Sequence, residues 1–165
     1  MPWDLLDLDA IFERSAPRIL EIGFGNGETL AGIAKNHPQN DYLGIEVHRP
    51  GVGHLLQRIE EQELTNLRVM SEDAVEILEQ QISDASLDAL YLFFPDPWHK
   101  TKHHKRRQVN PTWAQLVRKK LKPGGKLHMA TDWKNYAQQM CDVLNAAEGF
   151  SNTSTTGDYV SKPDY

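Results

Sequence analysis

Short apolar segments alternate with amphipathic helical segments along this chain, and the alternation limits which folds the chain can adopt. A strand followed by a helix and another strand favours a parallel sheet with helices on its faces. Strands are predicted over residues 18–22, 41–46, 67–70, 87–94 and 126–131. Helices are predicted over residues 28–36, 54–62, 74–81, 112–121 and 133–147. The chain is therefore expected to be an α/β protein with a mostly parallel, doubly wound sheet.

Apolar residues at helical spacing predict which face of three helices is buried. They are Leu55, Leu56 and Ile59 in the second helix, Trp113, Leu116, Val117 and Leu121 in the fourth, and Tyr136, Met140, Val143 and Leu144 in the last. Cys141 lies among the last group and is expected to be a core residue. Pro123-Gly124-Gly125 is predicted to end the fourth helix before the last strand.

The composition limits the class of protein. A length of 165 residues favours one domain, covering the whole chain, and 39% hydrophobic with 25% charged residues is ordinary for a globular protein. A net charge of −5 excludes a chain that is basic throughout, so any contact with nucleic acid needs a local patch. The single cysteine excludes an internal disulfide, and neither a signal peptide nor an apolar run of about 18 residues is present. A cytoplasmic protein is expected.

A glycine-rich turn, Glu21-Ile22-Gly23-Phe24-Gly25-Asn26-Gly27-Glu28, follows the first strand. Such a turn lets a ligand approach the backbone closely. The dinucleotide fingerprint needs a third glycine where this chain has Glu28, which weighs against a nicotinamide dehydrogenase. The acids around the turn instead favour a ligand with positive charge, such as the amino group and sulfonium of S-adenosylmethionine. Gly23, Gly25 and Gly27 are therefore candidate cofactor-binding residues.

Three acids come at the ends of successive strands. Glu46 lies about 20 residues after the glycine turn, where a carboxylate can bind ribose hydroxyls. Asp73 either accepts from an adenine amino group or caps the next helix. Glu21 is costly to bury unless a ligand or backbone amides pair with it. Because parallel strands end at the same edge of a sheet, these acids are expected along one rim.

The fourth strand ends in Pro95-Asp96-Pro97-Trp98-His99-Lys100. Two prolines stiffen a turn that holds one carboxylate beside a flat aromatic ring, which either stacks on a base or covers the pocket. A basic run, residues 100–107, follows at once. A plain turn and a solvated loop are the ordinary interpretations of these two features, but together they favour chemistry on a nucleic-acid base. His99, His103 and His104 have neither cysteine partners nor helical spacing, so no metal site is expected.

Several of these motifs together resemble the bacterial tRNA (guanine-N7)-methyltransferase family. They are Glu21-Ile22-Gly23-Phe24-Gly25, Gly44-Ile45-Glu46-Val47-His48, Asp73-Ala74-Val75, Phe94-Pro95-Asp96-Pro97-Trp98-His99-Lys100, Lys105-Arg106-Arg107 and Ala130-Thr131-Asp132-Trp133. The resemblance implies a Rossmann-like class I methyltransferase fold with S-adenosylmethionine as cofactor. It also implies tRNA as partner, with methylation of the variable-loop guanine at position 46.

The resemblance also implies roles for individual residues. Cofactor contacts fall to Glu21, Glu46, Asp73 and Asp96, and Asp96 is the implied catalytic residue. Substrate contacts fall to Lys100 and Asp132, and RNA contacts to Lys102, His103, His104, Lys105, Arg106 and Arg107. A monomer or a homodimer that binds neither a membrane nor a metal is expected.

The chain departs from the family in one respect. Neither a Thr-Lys-Phe-Glu substrate motif nor a final apolar strand is found in these 165 residues, and the N-terminal arm is short. The methyltransferase domain is therefore expected to be incomplete at both ends. Two other functions stay open at this point: a methyltransferase for another substrate, which leaves the basic run unexplained, and an RNA-binding module without catalysis, which leaves the acids unexplained.

Overall fold

A computed structural model describes residues 4–154 of the chain and confirms the α/β architecture. The strands are β1 (Arg18–Ile22), β2 (Asp41–Ile45), β3 (Leu67–Met70), β4 (Leu87–Phe93) and β5 (Leu121–Ala130). The helices are α1 (Leu8–Phe12), α2 (Glu28–Asn36), α3 (Arg49–Glu61), α4 (Ala74–Gln80), α5 (Pro111–Lys120) and α6 (Lys134–Ala146), with a 3₁₀ helix at Thr101–Arg106. The polar segment that follows Gly149 lies outside the described residues from residue 155 onward.

The five strands form one sheet in the order β3-β2-β1-β4-β5, and every neighbouring pair is parallel. The order of connection reverses between β1 and β4. In doubly wound sheets a ligand binds at such a reversal, outside the carboxyl ends of the strands. The register pairs Glu21 of β1 with Gly44 and with Tyr91, so this acid lies in the middle of the sheet near that edge.

Helices cover both faces of the sheet. Helices α1, α4, α5 and α6 bury one face around Leu20, Leu43 and Leu90, and α2 and α3 bury the other around Ile19, Tyr42 and Leu55. The apolar residues on each face of the sheet pack against the apolar side of the helices that cover it. Parallel sheets are ordinarily buried in this way on both faces. Core positions predicted for the last two helices are confirmed for Trp113, Val117, Tyr136 and Met140, and also for Leu121, which is the first residue of β5. Leu116, Val143 and Leu144 are partly buried against the same core.

Helix α3 begins five residues before the predicted start, at Arg49. Pro50 is compatible with the first turn of a helix, because the amide that it lacks would have no partner there. The earlier start places Gly51 and Leu55, four residues apart, on the buried face. The prediction that Leu56 faces inward is wrong: it is 52% exposed, since it lies about 100° around the helix from Leu55.

Two further predictions are corrected at the C-terminal side of the sheet. Helix α5 already ends at Lys120, and Pro123-Gly124-Gly125 lies inside β5. The register passes from Leu87 paired with Leu121 to Ala89 paired with Lys126, so the extra residues form a bulge. Cys141 is half-buried on α6 rather than part of the core.

Candidate active site at the carboxyl ends of the strands

A cleft of about 550 Å³ opens at the carboxyl ends of the central strands. This volume is within the range of ligand pockets. The predicted site residues that line it are Gly23, Glu46, Asp73, Asp96 and Arg106, together with Phe94, Pro95 and Trp98. A second hollow of about 520 Å³ lies at the amino ends of β1 and β4, beside Arg18 and Lys122, and contains none of the predicted site residues.

The glycine turn, whose first glycine Gly23 lines the cleft, has a conformation that favours glycine. Gly23, Gly25 and Gly27 have φ of 72°, 65° and 78°, which is the left-handed region. A Cβ at Gly23 or Gly25 would meet nothing within 4 Å, so the turn faces open space there. Gly27 is buried instead, and a Cβ there would lie 2.6 Å from Leu55 Cδ1, so of the three glycines only Gly23 and Gly25 can expose backbone to a ligand.

The Glu46 carboxylate ties the glycine turn to the loop after β2. Its Oε1 accepts from the backbone N–H of Gly25 at 2.9 Å, and its Oε2 accepts from those of Val47 at 2.9 Å and His48 at 3.2 Å. Hydrogen bonds to a charged acceptor are stronger than neutral ones. Glu46 therefore holds the two loops that flank the cleft in addition to its predicted contact with ribose.

Glu21 is 3% exposed, and its Oε1 has no hydrogen-bond partner among residues 4–154. Burial raises the pKa of this carboxyl to about 7. The side chain shares the α2 and α3 face of the sheet with Tyr91, and it is not among the residues that line the cleft. An unpaired buried carboxylate beside an open turn fits a ligand that supplies hydrogen-bond donors or positive charge.

The affinity for S-adenosylmethionine should rise with pH up to about pH 7 if Glu21 binds it as a carboxylate. Binding must then release the proton, so affinity should increase about tenfold per pH unit below pH 7 and level off above it. Titration calorimetry between pH 5.5 and 8 measures this, and Glu21→Gln should remove the dependence.

The stability of the protein alone should change in the opposite direction. Because the folded state holds the Glu21 proton more tightly than the unfolded chain, the stabilisation is complete below pH 4.5 and is lost as pH rises through about 7. Thermal unfolding of the unliganded wild type and Glu21→Gln over this range is the measurement.

For the binding measurement, a wild-type affinity for S-adenosylmethionine that does not vary with pH would contradict ionic binding by Glu21.

Asp73 both caps α4 and lines the cleft. Its side chain accepts from the backbone N–H of Glu76 at 3.1 Å, which is the N-cap role considered from the sequence. Its contact with adenine stays a prediction.

The segment Phe94–Trp98, called here the Pro-Asp-Pro corner, contains two strained residues. Phe94 has φ of 53° and Trp98 φ of 44°, a region that non-glycine residues occupy at a cost. The Phe94 N–H donates to the carbonyl of Ala130 at 2.7 Å, and the Trp98 N–H donates to Asp96 Oδ1 at 3.0 Å. Asp96 itself is exposed to the cleft. Strain of this kind persists where the surrounding structure imposes it, and it is common at functional sites.

The basic run forms the 3₁₀ helix Thr101–Arg106 rather than the predicted loop. Lys100, Lys102, Lys105 and Arg106 are exposed, and His103 and His104 are half-buried. The Arg106 guanidinium lies 5.2 Å from the centroid of the Trp98 ring, and His103 lies 5.9 Å from it. Trp98 thus joins the Pro-Asp-Pro corner to the basic helix and forms a wall of the cleft.

Arg107 does not belong to this basic surface. It is 2% exposed, its Nε donates to the carbonyl of Pro97 at 2.5 Å, and its Nη1 donates to Gln139 Oε1 at 2.6 Å. Contact between Arg107 and RNA, expected from the sequence, is therefore corrected. A run of charged residues in the sequence does not reveal that the side chain of the last residue of the run is turned inward.

Asp132 is exposed just after β5, on the same rim of the sheet but outside the lining of the cleft. Next to it, Trp133 stacks on His99 with ring centroids 4.2 Å apart, so the loop after β5 contacts the segment after β4. Sequence reasoning missed this pair and also Phe94, which is 63% exposed in the cleft. The sequence signal for Phe94 is an aromatic residue directly before a strand-ending proline.

The described residues contain no group of three or more His, Cys, Asp or Glu arranged to hold a metal ion. None of the helices within residues 4–154 is long and apolar enough to cross a membrane.

Residues 15–164 match the model of a protein family described as "Putative methyltransferase". A tRNA (guanine-N(7)-)-methyltransferase from Photobacterium profundum is 58% identical over 160 residues, covering 97% of this chain and 65% of that protein. One from Hydrogenovibrio crunogenus is 56% identical over 161 residues, covering 98% and 67%. The chain thus spans about two thirds of the length of these curated relatives.

Solved structures show the same fold at low identity. A SAM-dependent methyltransferase from Thiobacillus denitrificans, in complex with S-adenosyl-L-homocysteine, is 22% identical with a TM-score of 0.52, covering 74% of this chain and 45% of that chain. One from Aquifex aeolicus is 17% identical with a TM-score of 0.53, covering 76% and 63%. The parallel sheet with helices on both faces is therefore the Rossmann-like methyltransferase fold.

Proposed function

Since the chain belongs to the tRNA (guanine-N7)-methyltransferase family, we propose that it forms a methyltransferase domain that transfers a methyl group from S-adenosylmethionine to N7 of a guanine in tRNA. The target is the guanine at position 46 of the variable loop. One juxtaposition carries the proposal: Asp96 and Arg106 line the same cleft as Trp98, and the Arg106 guanidinium lies over the Trp98 ring. A carboxylate that could bind the edge of a base thus lies in the same cleft as a cation that could bind the phosphate backbone of a nucleic acid.

The residues around the glycine turn fit S-adenosylmethionine. Glu21 would supply a buried acceptor, Glu46 a carboxylate at the ribose, and Asp73 an acceptor for the adenine amino group. Gly23 and Gly25 leave the space that a ligand needs over the turn. Three carboxylates would repel a pyrophosphate but suit a ligand that bears an ammonium and a sulfonium. The bound cofactor supplies a methyl group attached to positively charged sulfur.

Methyl transfer to guanine N7 needs no general base, because N7 has a lone pair and no proton. The bond from carbon to sulfur breaks as the bond from carbon to N7 forms, and positive charge moves onto the guanine ring. Asp96, which lines the cleft, would accept hydrogen bonds from the Watson–Crick edge and would stabilise that positive charge. Asp132, from the rim beside β5, is proposed to contact the substrate from the other side.

The proposed RNA contacts of the basic helix are ionic and independent of sequence. Lys100, Lys102, Lys105 and Arg106 are exposed and would bind phosphates, with His103 and His104 between them. A base inside a stacked structure cannot reach the cleft, so the target guanine must be turned outward.

The decisive experiment uses two tRNA transcripts that differ in one atom. Methyl transfer from labelled S-adenosylmethionine should occur on an unmodified tRNA and should disappear when 7-deazaguanine replaces the guanine at position 46, because that base lacks N7. Transfer to both transcripts would contradict the assignment of the target. Transfer to neither would contradict tRNA methylation by this chain.

Neutralising Lys102, Lys105 and Arg106 to Gln should weaken tRNA binding and flatten its dependence on salt. Each phosphate that the variant no longer neutralises should lower the slope of log Kd against log salt concentration by about one, so a decrease of about two to three is expected. Affinity for S-adenosylmethionine should not change.

The matched control neutralises three exposed lysines elsewhere, Lys119, Lys122 and Lys126, which lie at the end of α5 and in β5. Filter binding from 50 to 300 mM salt compares the two triple variants. Equal salt slopes of tRNA binding in the two triple variants would contradict RNA binding by the basic helix and would leave it an ordinary solvated surface.

A further inference from the structure

A buried arginine contacts the Pro-Asp-Pro corner from behind the cleft. Arg107 is among the largest fully buried side chains of the described residues, and no carboxylate within residues 4–154 forms an ion pair with it. Burial lowers the pKa of its guanidinium. Removing a guanidinium from water is costly unless hydrogen bonds and other contacts offset the desolvation. The contacts that this side chain makes therefore indicate what it does.

The contacts of Arg107 join three parts of the chain. Its Nε donates to the Pro97 carbonyl, its Nη1 donates to Gln139 Oε1 on α6, and its guanidinium lies 4.7 Å from the centroid of the Tyr136 ring. Gln139 donates in turn to the carbonyl of Val109 at 3.2 Å, and the Val109 N–H donates to the Tyr136 hydroxyl at 3.2 Å. Arg107 thus links the corner, α6 and the segment before α5.

Apart from the ring contacts of Trp98 with Arg106 and His103, the corner has few other interactions that hold its shape. Pro95 and Pro97 have no N–H to donate, so the segment cannot continue the hydrogen bonds of β4. The Phe94 N–H still reaches Ala130, but the bond from Trp98 to Asp96 is internal to the corner. Two strained residues, Phe94 and Trp98, flank Asp96, and such conformations relax unless neighbouring structure opposes them. The bond from Arg107 to Pro97 connects this turn to α6.

We propose that Arg107 is a positioning residue for methyl transfer: by bonding Pro97 to Gln139 of α6, it holds the Pro-Asp-Pro corner in the strained conformation that presents Asp96 to the guanine. The inference rests on the proposed function. It separates two neighbours in the basic run, with Arg106 on the RNA side of the corner and Arg107 behind it.

Arg107→Met tests the role, since methionine keeps an apolar stem and removes every donor. The single-turnover rate at saturating tRNA and cofactor should fall at least about tenfold per folded molecule, while tRNA Kd and its salt slope stay at wild-type values. Arg107→Lys should be intermediate, because an ammonium lacks the planar fork that reaches Pro97 and Gln139 together. Arg106→Met should instead weaken tRNA binding and lower its salt slope by about one.

A measurement made without substrate tests the positioning role of Arg107 independently of the proposed methyl transfer. In protein labelled with 5-fluorotryptophan, the ¹⁹F resonance of Trp98 can be assigned with the Trp98→Phe variant. This resonance should shift in Arg107→Met. It should not shift in the matched control Lys119→Met, which removes an exposed cation. Gln139→Leu removes the same anchor from α6 and should cause the same shift if Arg107→Met does not fold.

Each failure has a separate meaning. No methyl transfer by the wild type would overturn the proposed function alone. A Trp98 resonance that does not shift in Arg107→Met would overturn the positioning role, and so would a wild-type rate in Arg107→Met and Gln139→Leu. A salt slope of tRNA binding that falls in Arg107→Met as it does in Arg106→Met would also overturn it.

Discussion

Asp96→Ala should lower the single-turnover rate of methyl transfer by about a hundredfold or more at saturating tRNA and cofactor, as removal of one preorganised electrostatic group does elsewhere. The carboxylate would no longer accept from the guanine or stabilise the positive charge that forms on it. Folding should survive, because Asp96 is exposed after the end of β4 and its bond to the Trp98 N–H is local.

Asp96→Asn distinguishes charge from shape. Asparagine keeps an acceptor oxygen and the size of the side chain but has no negative charge, so its rate should fall between those of the wild type and the alanine variant. A general base would behave otherwise: asparagine would be as slow as alanine, and the rate would follow the ionisation of the acid. A wild-type rate in Asp96→Ala would remove Asp96 from the mechanism.

Gly51→Ala should unfold the cofactor side of the domain more readily and abolish tight binding of S-adenosylmethionine. A Cβ at position 51 would lie 2.1 Å from the carbonyl oxygen of Gly25, so the first turn of α3 must move away from the glycine turn. Overpacking against backbone that cannot rotate away should cost about 3 kcal/mol in the free energy of unfolding, the upper part of the usual range. The Gly25 N–H would also shift from Glu46, its acceptor in the wild type.

Gly53→Ala is the matched control, two residues further along α3. A Cβ there meets nothing within 4 Å, and alanine is the better helix former, so stability should rise by about 0.5–1 kcal/mol. Denaturant unfolding and calorimetric titration of both variants make the comparison. Equal stability and cofactor affinity in the two variants would contradict the tight packing of α3 on the glycine turn.

Much of the fold is predictable because its signals are local. The bounds of β1, α2 and β3 follow from short apolar runs and from a helix that starts after the glycine turn, and each prediction agrees with the structure. Parallel strands then place Glu46, Asp73 and Asp96 at one edge without any further information. These three acids and Gly23 do line one cleft.

Other features depend on contacts between distant residues, which periodicity does not encode. Helix α3 starts early because Gly51 fits against Gly25, and the Pro-Gly-Gly segment forms a bulge because β5 pairs with β4 on both sides of it. The prediction for Leu56 on α3 is wrong for a local reason, because Leu55 packs inward and Leu56 lies about 100° around the helix from it.

The order of the elements, the parallel sheet and the edge at which the acids collect all follow from hydrophobic pattern and chain direction, so the amino-acid sequence is sufficient to specify them. The use of individual polar side chains depends instead on how the elements pack. Packing buries Glu21 in the middle of the sheet and turns Arg107 inward behind the Pro-Asp-Pro corner, leaving Arg106 at the surface. Burial and hydrogen bonding are set by contacts between distant elements, so residues adjacent in the chain can face opposite environments.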